Sequence, residues 1–171
     1  MNSRICTGIL VGVVLATLSP SFVGWSADSA SPSEAEVRQA SEAFYAALNR
    51  MFTGDLGPMN DIWSHAPDVT DMGPFGGRRV GWQEVSAQFE REAKMKLGGK
   101  VEARDMLVHV SGDLGYTLCV EHGENMSASG KPIAVDHRAT NIFRREAGKW
   151  KLIHHHTDIS EALEKAGNQA K

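Results

Sequence analysis

The chain has 171 residues, a formal net charge of −3 at pH 7 and 42% hydrophobic content, which suits one globular domain with a real core. Charges of both signs are interspersed, with no basic stripe and no aromatic-basic interleaving, so nucleic acid is not an expected partner. The two cysteines, Cys6 and Cys119, are too few for a disulfide scaffold.

In chain order, MNSRICTGILVGVVLATLSPSF joins a short segment bearing Arg4 to an apolar run from Ile5 to Leu18, broken by Pro20. The pattern predicts a secretory signal peptide over 1–27, because the run falls short of the ~20 residues a membrane span needs. Cleavage after Ser26 and after Ala27 are both compatible with the small residues there. The expected location is therefore periplasmic or secreted, without membrane association once the signal is removed. Removal takes Cys6 away and leaves Cys119 alone in an apolar strand pattern, where it reads as a small buried hydrophobe.

Residues 28–33 read as a linker, 34–160 as the domain and 161–171 as a C-terminal tail. Ser33 with Glu36 has capping-box spacing, and Val37, Ala40, Phe44, Ala47, Leu48 and Met51 recur at helical intervals, which predicts a first helix from Ser33 to Phe52. Pro58 opens a short second helix carrying Ile62 and Trp63, and HAPDVTDM is a loop entering a first strand. GPFGGRRVG is too rich in glycine for regular structure, and its spacing matches neither a dinucleotide nor a phosphate loop. After Gly81, the residues Trp82, Val85, Phe89 and Ala93 mark one face of a further helix. From Lys100 the period becomes two: VEARDMLVHV, LGYTLCVEHGENM, KPIAVDHRATNIFRR and WKLIHHHTD are strands separated by SGD, SASG and EAGK turns. Helices followed by consecutive hairpins give an α+β class, helices on one face of a curved antiparallel sheet.

Pairing Arg145 with Trp150 across EAGK sets Ile142 opposite Ile153, Thr140 opposite His155 and Arg138 opposite Thr157, all on one face. The other face then holds Phe143 with Leu152, Asn141 with His154 and Ala139 with His156, with His137 a diagonal step away. The triple histidine is thus split, and alternation alone leaves open which face is the pocket.

AALN followed by TGDL, Trp63 before PDV, PFGG with Gly81 opening a helix, SGD, RATNIFRREAGKWK and IHHHTD occur in this order over about 34–158. On these residues the chain resembles the SnoaL-like family of the nuclear transport factor 2-like superfamily, which contains ketosteroid isomerases, polyketide cyclases, a dehydratase and a kinase association domain. The resemblance implies a cone of three to four helices on a curved antiparallel sheet enclosing a pocket. It implies that Thr140 and Thr157 line the pocket, with Arg138, Ile142, Ile153 and His155 on the same concave face. It places His154 and His156 on a convex side that such folds use for homodimers.

Matched to ketosteroid isomerase, the chain has Gly73 at the base position, Phe44 at the tyrosine position and Thr140 close to the acid position, so all three groups are missing and steroid isomerisation by that mechanism is disfavoured unless Asp71, two residues before Gly73, acts as base. Asp71 and His155 are the candidate catalytic pair for proton transfer in isomerisation, cyclisation or dehydration, with no cofactor expected. The alternative is a ligand-binding or assembly module without turnover. In it, Arg138 attracts a carboxylate and Tyr45, Trp63, Phe75, Tyr116 and Leu118 form apolar walls, beside Thr140 and Thr157. A zinc site from His154, His156 and His137 is a further alternative, without an evident fourth ligand.

Overall fold

The computed structural model describes residues 31–127 and 129–158; the expected signal peptide and C-terminal tail lie outside them. Helix α1 spans Pro32–Met51, and its cap, Ser31, lies two residues before the expected Ser33. Both Ser31–Glu34 and Ser33–Glu36 have capping-box spacing. Pro32 decides between them, since its fixed φ and missing N–H suit the first helical position. The Ser31 side chain accepts from the Glu34 amide at 3.2 Å, and the Glu34 carboxylate accepts from the Ser31 amide at 2.9 Å. Glu36 is left free to accept from Arg145 at 2.8 Å and from the Trp150 indole at 3.0 Å. That contact ties the helix start to the last hairpin.

After α2 (Gly57–Ile62) come β1 (Thr70–Met72), β2 (Arg79–Val80) and α3 (Trp82–Met95). The chain then forms a four-strand meander of β3 (Lys100–Ser111), β4 (Leu114–Met126), β5 (Pro132–Glu146) and β6 (Lys149–Asp158). The six strands lie in the order β2-β1-β6-β5-β4-β3, with β1 parallel to β6 and every other pairing antiparallel. The glycine-rich segment expected to be irregular contributes the two-residue β2. The result is the expected α+β architecture, three helices on an open, curved sheet.

Curvature has a local cause in two β-bulges. In β3 the register shifts between Arg104 and Leu107, with Asp105 in the left-handed region. In β6, Phe143 pairs with Leu152 but Ile142 pairs with His154, so Ile153 is an extra residue. Arg145 does pair with Trp150 across the tight turn at Ala147 and Gly148, as expected. Beyond the bulge every expected pair moves by one: Asn141, not Thr140, faces His155, and Ala139, not Arg138, faces Thr157.

The inward face of β5 is therefore Val135, Ala139, Asn141 and Phe143, all buried, together with half-buried His137. Arg138, Thr140 and Ile142 turn outward, contrary to the expected concave face. His155 and Thr157 point inward, as expected.

Helix α1 lays Val37, Phe44, Ala47 and Met51 on this inner face against Phe143 and Leu152, all essentially inaccessible. Trp63 packs on Phe89 of α3 with ring centroids 5.4 Å apart. Each fully buried side chain of this size contributes roughly 1.5–3 kcal/mol. Among the described residues no helix is long and apolar enough to cross a membrane.

Gly99 and Gly112 both have positive φ, but a Cβ at Gly99 would run into the Glu124 backbone carbonyl whereas one at Gly112 meets nothing within 4 Å. Gly112→Ala should cost about 1 kcal/mol from backbone strain alone, and Gly99→Ala at least ~2 kcal/mol more. Urea unfolding of the two variants checks the order; equal midpoints would contradict it.

Candidate functional site

The polar groups of the inner face form a chain running from α1 across the sheet. Ser41 Oγ lies 3.2 Å from Thr117 Oγ1, and the Asn141 amide donates to Thr117 Oγ1 at 3.3 Å and to the Tyr45 hydroxyl at 3.1 Å. Tyr45 in turn donates to Glu121 Oε1 at 3.2 Å, with Cys119 Sγ 3.1 Å from the same hydroxyl. With both its N–H groups committed, Asn141 offers only its carbonyl to His155, whose Nδ1 is 2.7 Å away. His155 Nδ1 therefore carries the proton and Nε2 the lone pair, directed towards Glu121 Oε1 at 3.8 Å. The Phe44 ring, centroid 5.0 Å from the imidazole, covers its α1 side.

Asp71 reaches the same face from the neighbouring strand. In the parallel β1·β6 pairing it stands directly beside His155, and its Oδ1 is buried without a hydrogen-bond partner. No hydrogen bond joins the two side chains among the described residues, so the expected pair shares a cavity rather than a proton.

That cavity holds about 60 Å³, room for about four waters or a group of similar size. Leu48, Phe52, Val101 and Val135 wall it, and Asp71, Glu92, Glu121, His137 and His155 supply its ionisable groups. An outer cleft of about 250 Å³ adjoins it, lined by His156, Thr157 and Asp158 and sharing Gly73, Pro74 and His137 with the inner cavity.

Burial sets the charge states. It pushes Asp71 up to about 7, with Glu92 adding to the rise and the Gly73 amide opposing it. It pushes Glu121 up to about 7 as well, against the Tyr45 hydrogen bond and with the help of the Asp71 charge. Glu92 is raised by burial too, in spite of its 2.6 Å hydrogen bond from Gln88. His155 is driven down to about 3, by burial first and then by its histidine neighbours. Near neutrality the imidazole is uncharged, and Asp71 and Glu121 are carboxyls poised to exchange protons.

Of the residues singled out in the sequence, Asp71, His155 and Phe75 meet at the inner cavity and Thr157 at the outer cleft. The others lie elsewhere. Tyr45 stands behind the cavity in the hydrogen-bonded chain, and Trp63 is core. Tyr116 and Leu118 are outward on β4 and exposed. Thr140 and Arg138 are outward on β5, with Arg138 3.6 Å from Asp158 in an exposed ion pair. The bulge also separates the three candidate zinc ligands: His137 faces inward, while His154 and His156 face outward, His154 Nδ1 lying 2.7 Å from the Thr70 hydroxyl. Among the described residues no three potential ligands gather around a point.

Sequence reasoning missed Glu121 and Glu92, and it put Asn141 and His137 on the face away from the pocket. Glu121 was accessible by parity, two residues after Cys119 and so on the same face. Glu92 sits in the apolar stripe of α3 between Phe89 and Ala93.

The profile of the SnoaL-like domain matches residues 37–159. The chain belongs to the SnoaL-like family. Solved structures place this SnoaL-like domain within the nuclear transport factor 2-like superfamily. A Streptomyces avermitilis protein of that superfamily, provisionally named a dehydratase, is 25% identical with a TM-score of 0.65, the match covering 75% of this chain and 97% of that one. A Xanthomonas campestris protein provisionally named a calcium/calmodulin-dependent protein kinase II association domain is 21% identical, with a TM-score of 0.59 over 78% of this chain and 94% of that one. A nuclear transport factor 2-like protein of Salmonella enterica serovar Typhimurium is 12% identical, with a TM-score of 0.65 over 73% and 89%. No curated protein sequence matches.

The raised carboxyls give the SnoaL-like domain a pH signature. An acid whose folded pKa lies above its unfolded value binds its proton more tightly when folded, so stability falls as pH rises from about 4 towards 7 and stays reduced above. His155 works oppositely, its lowered pKa making stability rise with pH between about 3 and 6.5. Asp71→Asn removes one contribution: relative to wild type it should gain stability through pH 4–7, by on the order of 3 kcal/mol at pH 8. Urea unfolding at pH 4.5 and 8 measures the difference, and a gain independent of pH would contradict it.

Proposed function

We propose that this SnoaL-like domain is an exported, periplasmic or secreted protein that binds a small molecule in the inner cavity and moves a proton on it without a cofactor, in the manner of an isomerase, cyclase or dehydratase. The observation that carries the reading is Asp71: 4% exposed, without a partner on Oδ1, facing the cavity, and pushed by burial to about 7. A base with that pKa is partly ionised at physiological pH yet strong enough to accept a proton from carbon beside a carbonyl. Glu121, protonated while Asp71 is ionised, would donate a hydrogen bond to the carbonyl oxygen as negative charge develops there. His155, held by Asn141 with its lone pair towards Glu121, would position that carboxyl. An apolar, carbonyl-bearing ligand suits these walls better than a carboxylate, because Arg138 is turned away and no Lys or Arg lines the cavity.

A second reading is favoured by the outward face of the sheet. Leu107, Leu114, Tyr116 and Leu118 are exposed there on adjacent strands, with Leu107 paired to Leu118. We propose this patch as a homodimer surface, in keeping with the fold shared with association domains, and compatible with either a catalytic or a purely structural role.

Butanone in deuterium oxide tests the first reading, its α-hydrogens exchanging when a base removes them. Wild type should accelerate exchange with a rate that rises through pH 7, as the Asp71 carboxylate forms, and Asp71→Asn should lose at least ~100-fold of the acceleration. Equal rates in the two proteins would leave the binding or assembly role alone. For the second reading, Leu118→Glu should convert a dimer to a monomer in sedimentation; a monomeric wild type would exclude the dimer.

A further inference from the structure

We infer that the inner cavity and the outer cleft form one site for an elongated, uncharged molecule, whose carbonyl-bearing reacting end lies beside Asp71 and whose far end carries a hydroxyl held by Thr157 and His137. The inference rests on the proposed role of the Asp71 chamber and extends it to the rest of the ligand.

Continuity is the first support. Gly73, Pro74 and His137 line both spaces, so the two adjoin at these three residues. Unsatisfied hydrogen bonding is the second. Besides Asp71 Oδ1, the polar atoms Thr157 Oγ1 and His137 Nδ1 are buried without a partner, and Thr157 is only 6% exposed. A buried hydroxyl left unpaired costs about 1–3 kcal/mol, which a ligand hydroxyl would return. Thr157 can donate or accept and His137 Nδ1 can do either according to tautomer, so both match a hydroxyl and neither requires an ion.

Charge is the third. Among the residues lining the two spaces there is no Lys or Arg, while Asp71, Glu92 and Glu121 line the inner one and Asp158 the outer one. An anion at the reacting end would meet Asp71, Glu92 and Glu121, and at the far end it would compete with Asp158 for Arg138, in a cleft that also holds the His137 and His156 imidazoles. A cation at the reacting end would have to shed its hydration against Leu48, Phe52 and Val101 and ionise carboxyls that burial keeps protonated up to about pH 7. Thr157 and His137 are thus positioning and specificity residues; neither touches the reacting carbon.

Four ketone probes separate the possibilities by NMR titration at pH 6.5: butanone, 6-hydroxy-2-hexanone, 5-oxohexanoate and (5-oxohexyl)trimethylammonium. The hydroxyketone should bind about fivefold more tightly than butanone, as one net hydrogen bond supplies, and neither charged analogue should exceed butanone. Thr157→Val should reduce the hydroxyketone to the affinity of butanone without altering butanone itself, and Thr157→Ser should keep the gain. If butanone binds but the hydroxyketone gains nothing, or either charged analogue binds best, the extended site is wrong and the Asp71 chamber stands. If butanone leaves the Asp71 strand unperturbed, both readings fall.

Discussion

One extra residue in β6, Ile153, decides what the cavity contains. Side chains of a strand alternate, so Leu152, which must be buried against Phe143, would without the bulge bring His154 and His156 inward with it. The insertion lets Leu152 and His155 both face the core, three positions apart. It also sets Asn141, which shares its β5 face with His137 and Phe143, beside His155. The parallel pairing with β1 then has a fixed phase, and Asp71 falls next to His155. A bulge gives up one ladder position; here that position exchanges the two outer histidines for the middle one and its partners.

The inner face has two regimes. Towards α1, hydrogen bonds run from Ser41 through Thr117 to Asn141, which branches to Tyr45 and Glu121 on one side and to His155 on the other. Such a chain is stabilising only when complete, since an unpaired member in a low dielectric is costly. Towards β1 and the cleft the pattern reverses, with Asp71 Oδ1, Thr157 Oγ1 and His137 Nδ1 left without partners. The first regime fixes a tautomer and a geometry. The second is where binding energy is available, because those groups keep hydrogen-bonding capacity that the protein itself leaves unused.

Much of the fold was legible because local signals agreed with the tertiary arrangement. The 3.6-residue spacing of Val37, Phe44 and Met51, the punctuation by Gly54, Pro58 and Gly81, and the three hairpin turns each follow from backbone preference. They placed three helices and the four long strands nearly correctly. The helix start slipped because two capping boxes overlap and only Pro32 separates them. Asp71 and His155 were legible as inward groups, but Arg138 and Thr140 were not, because a bulge at an Ile between Leu and His leaves no mark in a hydrophobic pattern. Tyr116 and Leu118 were misassigned for another reason: an apolar strand face reads the same whether it covers a core or a partner.

The departure from the ketosteroid isomerase pattern is less complete than it first looked. Its carboxylate position is Gly73 here, but a strand face repeats every second residue, so Asp71 occupies the same face one step earlier. Its tyrosine position is Phe44, yet the adjacent Tyr45 also turns inward and donates to Glu121 rather than to a ligand. Glu121 lines the cavity, its carboxyl raised by burial to about 7. Asp71 and Glu121 each lie near 7, and the charge of Asp71 opposes ionisation of Glu121. A pair of this kind holds one proton between two sites over a range around neutrality. For the proposed proton transfer, that state would supply a base and a hydrogen-bond donor in one small chamber. It arises from burial first, with Glu92 raising Asp71 and Asp71 raising Glu121, and so depends on the depth at which the Ile153 bulge and the α1 helix set the site.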